Sequence, residues 1–155
     1  MKICLKTYSK ESEAQNVNII INDRLPNFID SAAKLSCNFS VTKSEDYYLL
    51  KYFVAGKLNI RCQRCLDIFE YDYNHENKLA VCNNEESAAM LMQHIDSIVS
   101  NDNQADLNDI LVDDLHLYVP EKHDSIDDCG DETTKLMRSE HENIAATLGL
   151  QAKTL

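Results

Sequence analysis

Two cysteines three positions apart, Cys62 and Cys65, are the residues of this chain whose types and spacing most directly suggest chemistry. Strand-like sequence lies on both sides of them, so we expect a tight turn that presents both sulfurs on one side. Such a pair can form half of a tetrahedral zinc site, cycle a disulfide, or simply brace a hairpin. Each alternative implies a different kind of protein.

The other ligands of a zinc site are not given by a compact motif. Histidines are possible substitutes for cysteine ligands, at His75 and His123. A single C-x-x-C motif is only moderately specific for metal, so a reduced pair that is structural or contacts a partner is the alternative. The cysteines that are candidate zinc ligands are Cys62, Cys65, Cys82 and Cys129.

Catalytic thiol chemistry is the least favoured alternative. A thioredoxin-like pair lies at a helix N-terminus, where the helix dipole lowers the thiol pKa. Here the residues after Cys65 alternate with a period of two, which predicts a strand. The chain has only 3 glycines and contains no phosphate loop, dinucleotide fingerprint or nucleophile elbow. We therefore predict that it is not an enzyme.

Cations and aromatic side chains surround the cysteine turn. Cations beside exposed aromatic rings on a sheet can bind RNA by phosphate contact and base stacking. Most of these aromatics are expected in the core, however, and the cations could instead balance nearby carboxylates. The candidate residues for contact with RNA or another partner are Lys57, Arg61 and Arg64.

Charge divides the sequence into two unequal halves. The net charge is −11, but residues 1–80 hold 11 Lys/Arg against 10 Asp/Glu, while residues 81–155 hold 4 against 16. A strongly acidic surface repels a polyanion. Any nucleic acid is therefore expected to contact the first half, whereas the acidic half is either a solvated surface or a face for a basic protein.

The length and composition favour one soluble domain. With 155 residues and 44% hydrophobic content, the chain can bury a sizeable core without disulfides. The N-terminus lacks the apolar core of a signal peptide, and no apolar run is long enough for a membrane span. We expect a cytoplasmic protein, no contact with membranes, and cysteines that are free or metal-bound.

Period-two patterns predict an antiparallel meander in the first half, curled towards a small barrel. One strand, Tyr47–Ala55, is expected to be buried on both faces and to turn back at Gly56-Lys57. A polar turn is expected at 74–77. The predicted strands are 36–42, 47–55, 58–62, 68–73 and 79–81.

Helical spacing predicts a few peripheral helices, which makes the fold class α+β. A short helix is expected over Arg24–Lys34 and a weakly capped one over Glu85–His94. The clearest is Asp106–Val119, which has an apolar face, an Asp cap at its start and Pro120 at its end. We assign residues 1–132 to a single domain and 133–155 to an irregular acidic tail that is flexible or docks on a partner.

The order of these motifs resembles that of the YceD family, the large ribosomal RNA subunit accumulation proteins of bacteria and plastids. The most specific parts are the turn Cys62-Gln63-Arg64-Cys65 and the acidic helix that runs into Pro120 through Leu117. Cys82, Asp106-Leu107 and Cys129 follow in the same order. The similarity covers roughly residues 20–130, within the 155-residue chain.

The resemblance implies a non-enzymatic factor that supports accumulation of 23S ribosomal RNA and biogenesis of the large ribosomal subunit. Such a factor would bind the rRNA precursor, a basic ribosomal protein, or both. The half that carries Arg61 and Arg64 would then face RNA. A zinc-stabilised interaction module and a thiol-redox protein are the alternatives from other classes.

Overall fold

A long β-hairpin organises the fold. The computed structural model describes residues 1–130 and Leu136. Strands β4 (Tyr47–Arg61) and β5 (Ile68–Cys82) have 15 residues each and pair antiparallel along their whole length. The turn that joins them, residues 62–67, contains both cysteines of the C-x-x-C motif. The motif therefore lies at the tip of the hairpin.

Three further strands complete an open five-stranded sheet. Strands β2 (Gln15–Ile21), β3 (Ala33–Lys43) and β4 pair antiparallel, and β6 (Asp96–Val99) pairs parallel with β5, in the order β2-β3-β4-β5-β6. The α+β class is confirmed. The sheet is mixed rather than wholly antiparallel, and it is not closed, so the curl towards a small barrel is not confirmed.

Short elements pack around this sheet. A second sheet of two antiparallel strands joins the N-terminus to the segment that leads into the longest helix. The remaining elements are β1 (Lys2–Cys4), α1 (Leu5–Tyr8), α2 (Glu85–Leu91), β7 (Gln104–Asp106), α3 (Leu107–Tyr118) and a single 3₁₀ turn (Ile126–Asp128).

Helix α3 forms where the sequence predicts it. Asp106 caps its N-terminus by accepting hydrogen bonds from the backbone N–H groups of Asn108 and Asp109. Val119 is extended and Pro120 follows, so the helix ends as predicted. Its apolar face is buried against the inner face of the sheet. The buried α3 residues are Leu107, Ile110, Leu111, Val112, Asp114 and Leu115.

The core lies between α3 and one face of the sheet. Alternate residues of each strand enter it; Phe39 on β3 and Leu50 and Val54 on β4 are at most 1% exposed. The predicted burial of Tyr47–Ala55 on both faces is wrong, because Lys51 and Phe53 are exposed on the other face. That other face of the sheet is largely open to solvent.

The predicted turns at Gly56-Lys57 and 74–77 are also wrong. Gly56 lies inside β4, where a Cβ would come within 2.5 Å of the Lys34 carbonyl oxygen, so glycine there allows close backbone approach rather than a turn. Residues 74–77 lie inside β5 rather than in a turn. This part of the strand is polar because Asn74 and Glu76 are exposed to solvent. The uninterrupted strand β4 therefore replaces the two strands predicted before and after Gly56-Lys57. The uninterrupted strand β5 replaces the two predicted before and after residues 74–77.

The predicted helix over Arg24–Lys34 does not form. The backbone of this segment instead forms hydrogen bonds with the end of β4. The Asp30 N–H donates to the Asn59 carbonyl, and the Arg61 N–H donates to the Phe28 carbonyl. Ile29 forms a β-bridge with Ile60. Pairing with the free edge of β4 satisfies these groups better than an isolated short helix would.

No helix within residues 1–130 combines the length and apolar character needed to cross a lipid bilayer. The predicted tail, residues 133–155, lies outside the described residues apart from Leu136.

Candidate metal centre

The hairpin tip is a tight turn closed by its own backbone. The Cys62 N–H donates to the Asp67 carbonyl at 2.9 Å, and the Leu66 N–H donates back to the Cys62 carbonyl at 2.7 Å. Leu66 has a φ of 67°, a left-handed conformation that is uncommon for a residue with a side chain. These contacts hold Cys65 close to Cys62.

The segment after α3, residues 119–130, returns to this tip. The Gln63 N–H donates to the Glu121 carbonyl at 2.9 Å, which joins the turn to the segment directly. Further on, the 3₁₀ turn is capped by the Ser125 hydroxyl. This C-terminal segment thereby brings His123 and Cys129 to the cysteine turn.

Four ligand atoms converge there. The sulfurs of Cys62, Cys65 and Cys129 and a ring nitrogen of His123 all lie within 4.8 Å of one another. The Sγ atoms of Cys62 and Cys129 are 3.9 Å apart, and His123 Nδ1 is 3.6 Å from Cys65 Sγ and 3.5 Å from Cys129 Sγ. We refer to these four residues as the Cys₃His cluster.

Three of the six separations match the edges of a tetrahedron around zinc, and the other three are at most 4.8 Å. With Zn–S and Zn–N bonds of ordinary length, two sulfurs lie about 3.8 Å apart and a sulfur and a nitrogen about 3.6 Å apart. The measured distances of 3.9, 3.6 and 3.5 Å agree with these values. Three thiolates and one imidazole are donors that suit zinc better than magnesium or calcium.

Neighbouring side chains orient the cluster. The Phe69 ring stacks on His123 with centroids 4.3 Å apart. Arg64 donates from Nε to Cys129 Sγ at 3.1 Å and from Nη2 to the His123 carbonyl at 3.0 Å. A guanidinium at this place offsets part of the negative charge that three thiolates would bring to one ion.

The protonation of the thiols is also affected by this geometry. Burial disfavours the charged form of Cys62, but backbone N–H groups of the turn and of His123 outweigh it and lower its pKa to about 6. For Cys65, burial and the neighbouring sulfurs raise the pKa. The two thiols of the turn are therefore not equivalent.

Three of the four predicted cysteine ligands lie together, and the fourth does not. Cys82 ends β5 and is buried with Ala80 and Ala88 in a separate small apolar cluster, so it is not a member of the Cys₃His cluster. His123 takes its place. The signal for it was its position six residues before Cys129, with five residues between the two, a spacing compatible with zinc ligands.

His75, the other possible substitute, is also elsewhere. It lies in β5 and stacks on Tyr118 of α3 with ring centroids 3.9 Å apart. It is therefore a packing residue between the sheet and α3 in this structure.

The three predicted contact cations each have a partner within the chain. Lys57 pairs with Glu70 at 3.4 Å, and Arg61 pairs with Asp30 at 2.9 Å. Arg64 faces the Cys₃His cluster, as described above. That these residues bind RNA or a protein stays a prediction.

No protein-family model, curated protein or solved structure matches the chain. The resemblance to the YceD family rests on the sequence motifs alone.

Proposed function

We propose that this chain is a non-enzymatic factor that supports 23S rRNA accumulation and large-subunit biogenesis, and that a structural zinc ion fastens its hairpin tip to the C-terminal segment. One observation carries the proposal. The turn that contributes most to the YceD resemblance, Cys62 to Cys65, supplies half of the Cys₃His cluster. In a binding protein, the motif would then serve to hold a structural metal ion rather than to carry out catalysis.

A structural role for the metal is favoured over a catalytic one. Four protein ligands complete a tetrahedral shell, whereas catalytic zinc keeps a position open for water or substrate. Cys62 and Cys129 are buried, at 0% and 4% exposure, which limits access of a substrate to the ion. Zinc would reinforce the contacts between two segments that are far apart in the sequence, namely the hairpin turn and residues 119–130.

A thiol-redox function has less support. The residues after Cys65 lead into β5 rather than into a helix, so the helix dipole that activates thioredoxin-like cysteines is not available to the pair. The lowered pKa of Cys62 suits a metal ligand equally well, because zinc binds the thiolate.

The metal is tested with the full-length chain purified from zinc-supplemented cells. Elemental mass spectrometry should find one zinc per chain in the wild type and much less in Cys65→Ser and His123→Ala. Cys82→Ala, which removes a buried thiol outside the cluster, is the matched control and should keep the zinc. A folded wild type without zinc would refute the structural-zinc part of the proposal.

The same variants test the biological role in cells that lack the gene. Wild type and Cys82→Ala should restore the ratio of 23S to 16S rRNA and sediment with large-subunit precursors, while Cys65→Ser and His123→Ala should not. Unchanged 23S rRNA in the deletion strain would overturn the proposed role in the ribosome. Restoration by a zinc-free variant would separate that role from the metal.

A further inference from the structure

The open face of the sheet, opposite α3, carries an exposed aromatic ring. Along β4, Tyr52 and Val54 point into the core, so Lys51, Phe53 and Ala55 point to the open face. Phe53 is 45% exposed, whereas Tyr52 is 2% exposed. We call this open side of β2 to β5 the outer face.

Two lysines face each other beside this ring. Lys51 on β4 is directly opposite Lys78 on β5, and Ser40 continues the same row on β3. Like charges opposite each other destabilise a sheet. Within residues 1–130, neither lysine has a carboxylate within ion-pair distance. Sheet stability does not account for the pair, whereas a bound anion would.

The neighbours of Phe53 across the strands are polar. Asn38 lies opposite Phe53 on β3 and Glu76 lies opposite it on β5, with Asn16 beyond Asn38 on β2. Amide side chains can hydrogen-bond the edges of unpaired bases, while Glu76 is the carboxylate of this row. The ring is therefore accessible to a planar ligand.

Concave surfaces lie on both sides of Phe53. A groove of about 390 Å³ is lined by residues that include Ile20, Lys34 and Ala55. A wider cleft of about 810 Å³ is lined by residues that include Leu49 and Lys78, together with the carboxylates Glu76 and Asp96. The path from Ala55 to Leu49 along β4 is about 20 Å long. This is enough for several nucleotides of a single strand.

Charge is divided between the two sides of the sheet. Helix α3, on the inner side, exposes Asp109 and Asp113 to solvent, and the whole chain has a net charge of −11. The outer face exposes more cations than carboxylates. Its cations are Lys34, Lys51, Lys57, Arg61 and Lys78, and its carboxylates on β5 are Glu70, Asp72 and Glu76. A polyanion would therefore approach the outer face and avoid the α3 side.

We infer that the outer face binds single-stranded RNA, with Phe53 stacked on a base and Lys51 and Lys78 in contact with phosphates. An aromatic platform between cations is the chemistry that recognises unpaired nucleotides, whereas the bases of an RNA duplex are not free to stack on it. The inference rests on the proposed function and gives it a contact surface different from the hairpin tip.

The test measures binding of fluorescein-labelled oligouridylate to the full-length, zinc-loaded protein by anisotropy over a range of salt concentrations. Phe53→Ile, which keeps an apolar strand former but removes the ring, should weaken binding roughly tenfold, and Phe53→Tyr should not. Replacing both Lys51 and Lys78 with Gln should lower the slope of log affinity against log salt by about 1.4. Arg24→Gln, which removes a cation that pairs with Asp109 of α3, is the matched control and should bind as the wild type does. Arg61→Gln tests the hairpin tip as the alternative RNA surface.

The possible outcomes distinguish the outer face from the hairpin tip as the surface that binds RNA. If Arg61→Gln weakens binding and the outer-face variants do not, RNA contacts the tip and the inference is wrong. If no RNA binds while the protein still sediments with large-subunit precursors, the outer face is not an RNA site, and the proposed function stands through protein contacts. Circular dichroism of each variant confirms that the fold is kept, which the exposure of the replaced side chains leads us to expect.

Discussion

Asp114 is an acid that the fold places in the core. It lies on α3 with 5% exposure, and its Oδ2 accepts a hydrogen bond from the Tyr52 hydroxyl at 2.5 Å. Burial raises the pKa of Asp114, and the nearby carboxylates of Asp113 and Asp96 add to the effect. The charged form of this carboxyl therefore costs stability at neutral pH.

The sign of the pH dependence follows from this raised pKa. The folded state holds the proton of Asp114 more tightly than the unfolded state does, so stability falls as pH rises from the unfolded to the folded pKa. Asp114→Asn removes the charge and keeps an oxygen that can accept from Tyr52. We expect the variant to be at least as stable as the wild type at pH 7, with the difference shrinking on acidification. Thermal unfolding of both proteins at several pH values measures this.

Two companion variants make the test specific. Asp114→Ala leaves the buried Tyr52 hydroxyl without its acceptor and should lower the free energy of unfolding by about 1–3 kcal/mol. Asp113→Asn, at the exposed neighbouring position, should change it by about 0.5 kcal/mol or less. If Asp114→Asn were as unstable as Asp114→Ala at pH 7, the carboxylate charge itself would be stabilising and our assignment would be wrong.

Residue type and spacing in the sequence predict some of the ligand residues but not all of them. Cys62 and Cys65 were found because their spacing alone brings two sulfurs together. Choosing between Cys82 and His123 required the path of the chain, because Cys82 ends a strand and packs away from the tip. The burial of Asp114 was missed because an acid on a helix is normally solvated.

Among the elements, β4 depends on a glycine in an unusual way. At Gly56 the backbone of β3 comes so close that an added Cβ would lie 2.5 Å from the Lys34 carbonyl oxygen and 2.9 Å from a Leu35 methyl carbon. Beyond this point β4 leaves β3 and pairs with the loop around Ile29 instead. The absence of a side chain permits this change of partner.

Gly56→Ala should therefore destabilise the protein by about 1–3 kcal/mol, because the backbone carbonyl cannot move away without disturbing the strand pairing. Gly130→Ala is the matched control, since a Cβ there meets nothing within 4 Å, and it should have an effect of about 0.5 kcal/mol or less. Urea unfolding of both variants measures the difference. Equal stability of the two variants would contradict the prediction, because it would show that the β3 backbone can shift to make room for a Cβ at Gly56.

Elements with a strong period and a clear end could be predicted, and those defined by tertiary pairing could not. Helix α3 has both an apolar face and the Asp106 cap, and it forms as predicted. The long strands β4 and β5 were each divided in the prediction, because Gly56 and the polar residues 74–77 resemble turns locally. Their continuity depends on cross-strand pairing, which no local pattern contains.

At the scale of the whole molecule, the Cys₃His cluster lies at the hairpin tip and is not part of the main apolar core. The main apolar core runs from the N-terminal strands to α3 and contains residues such as Phe39, Leu50 and Leu111, none of which belongs to the cluster. If the cluster binds zinc as proposed, loss of the metal should release the tip and residues 119–130 and leave the rest of the fold in place.

Hydrogen exchange with and without a chelator measures this. On metal removal, the Gln63 amide, which donates to Glu121, should exchange much faster, while amides in the middle of β3 and β4 keep their protection. Cys65→Ser should show the fast-exchange pattern without chelator. Uniform loss of protection would mean that the metal holds the entire fold, contrary to this prediction.

Charge separation at the scale of the molecule was only partly predictable. The sequence divides into a near-neutral half and an acidic half, but the structure interleaves them, since β6, β7 and α3 come from the acidic half and pack on or beside strands of the other. In the structure, the outer face exposes more cations than carboxylates, whereas α3 exposes Asp109 and Asp113. Sequence order could not give this, because it depends on which side of the sheet the helix covers.

The separation of the ligands along the chain also has a consequence for synthesis. Cys65 and His123 are 58 residues apart and Cys129 comes later still, so all of β5 to α3 is translated between the two halves of the centre. During translation the first two thiols emerge long before their partners, and two ligands alone would hold the proposed zinc only weakly. If the cluster binds zinc as proposed, full coordination becomes possible only when residue 129 has left the ribosomal tunnel, so tight metal retention would mark a chain translated beyond its last ligand.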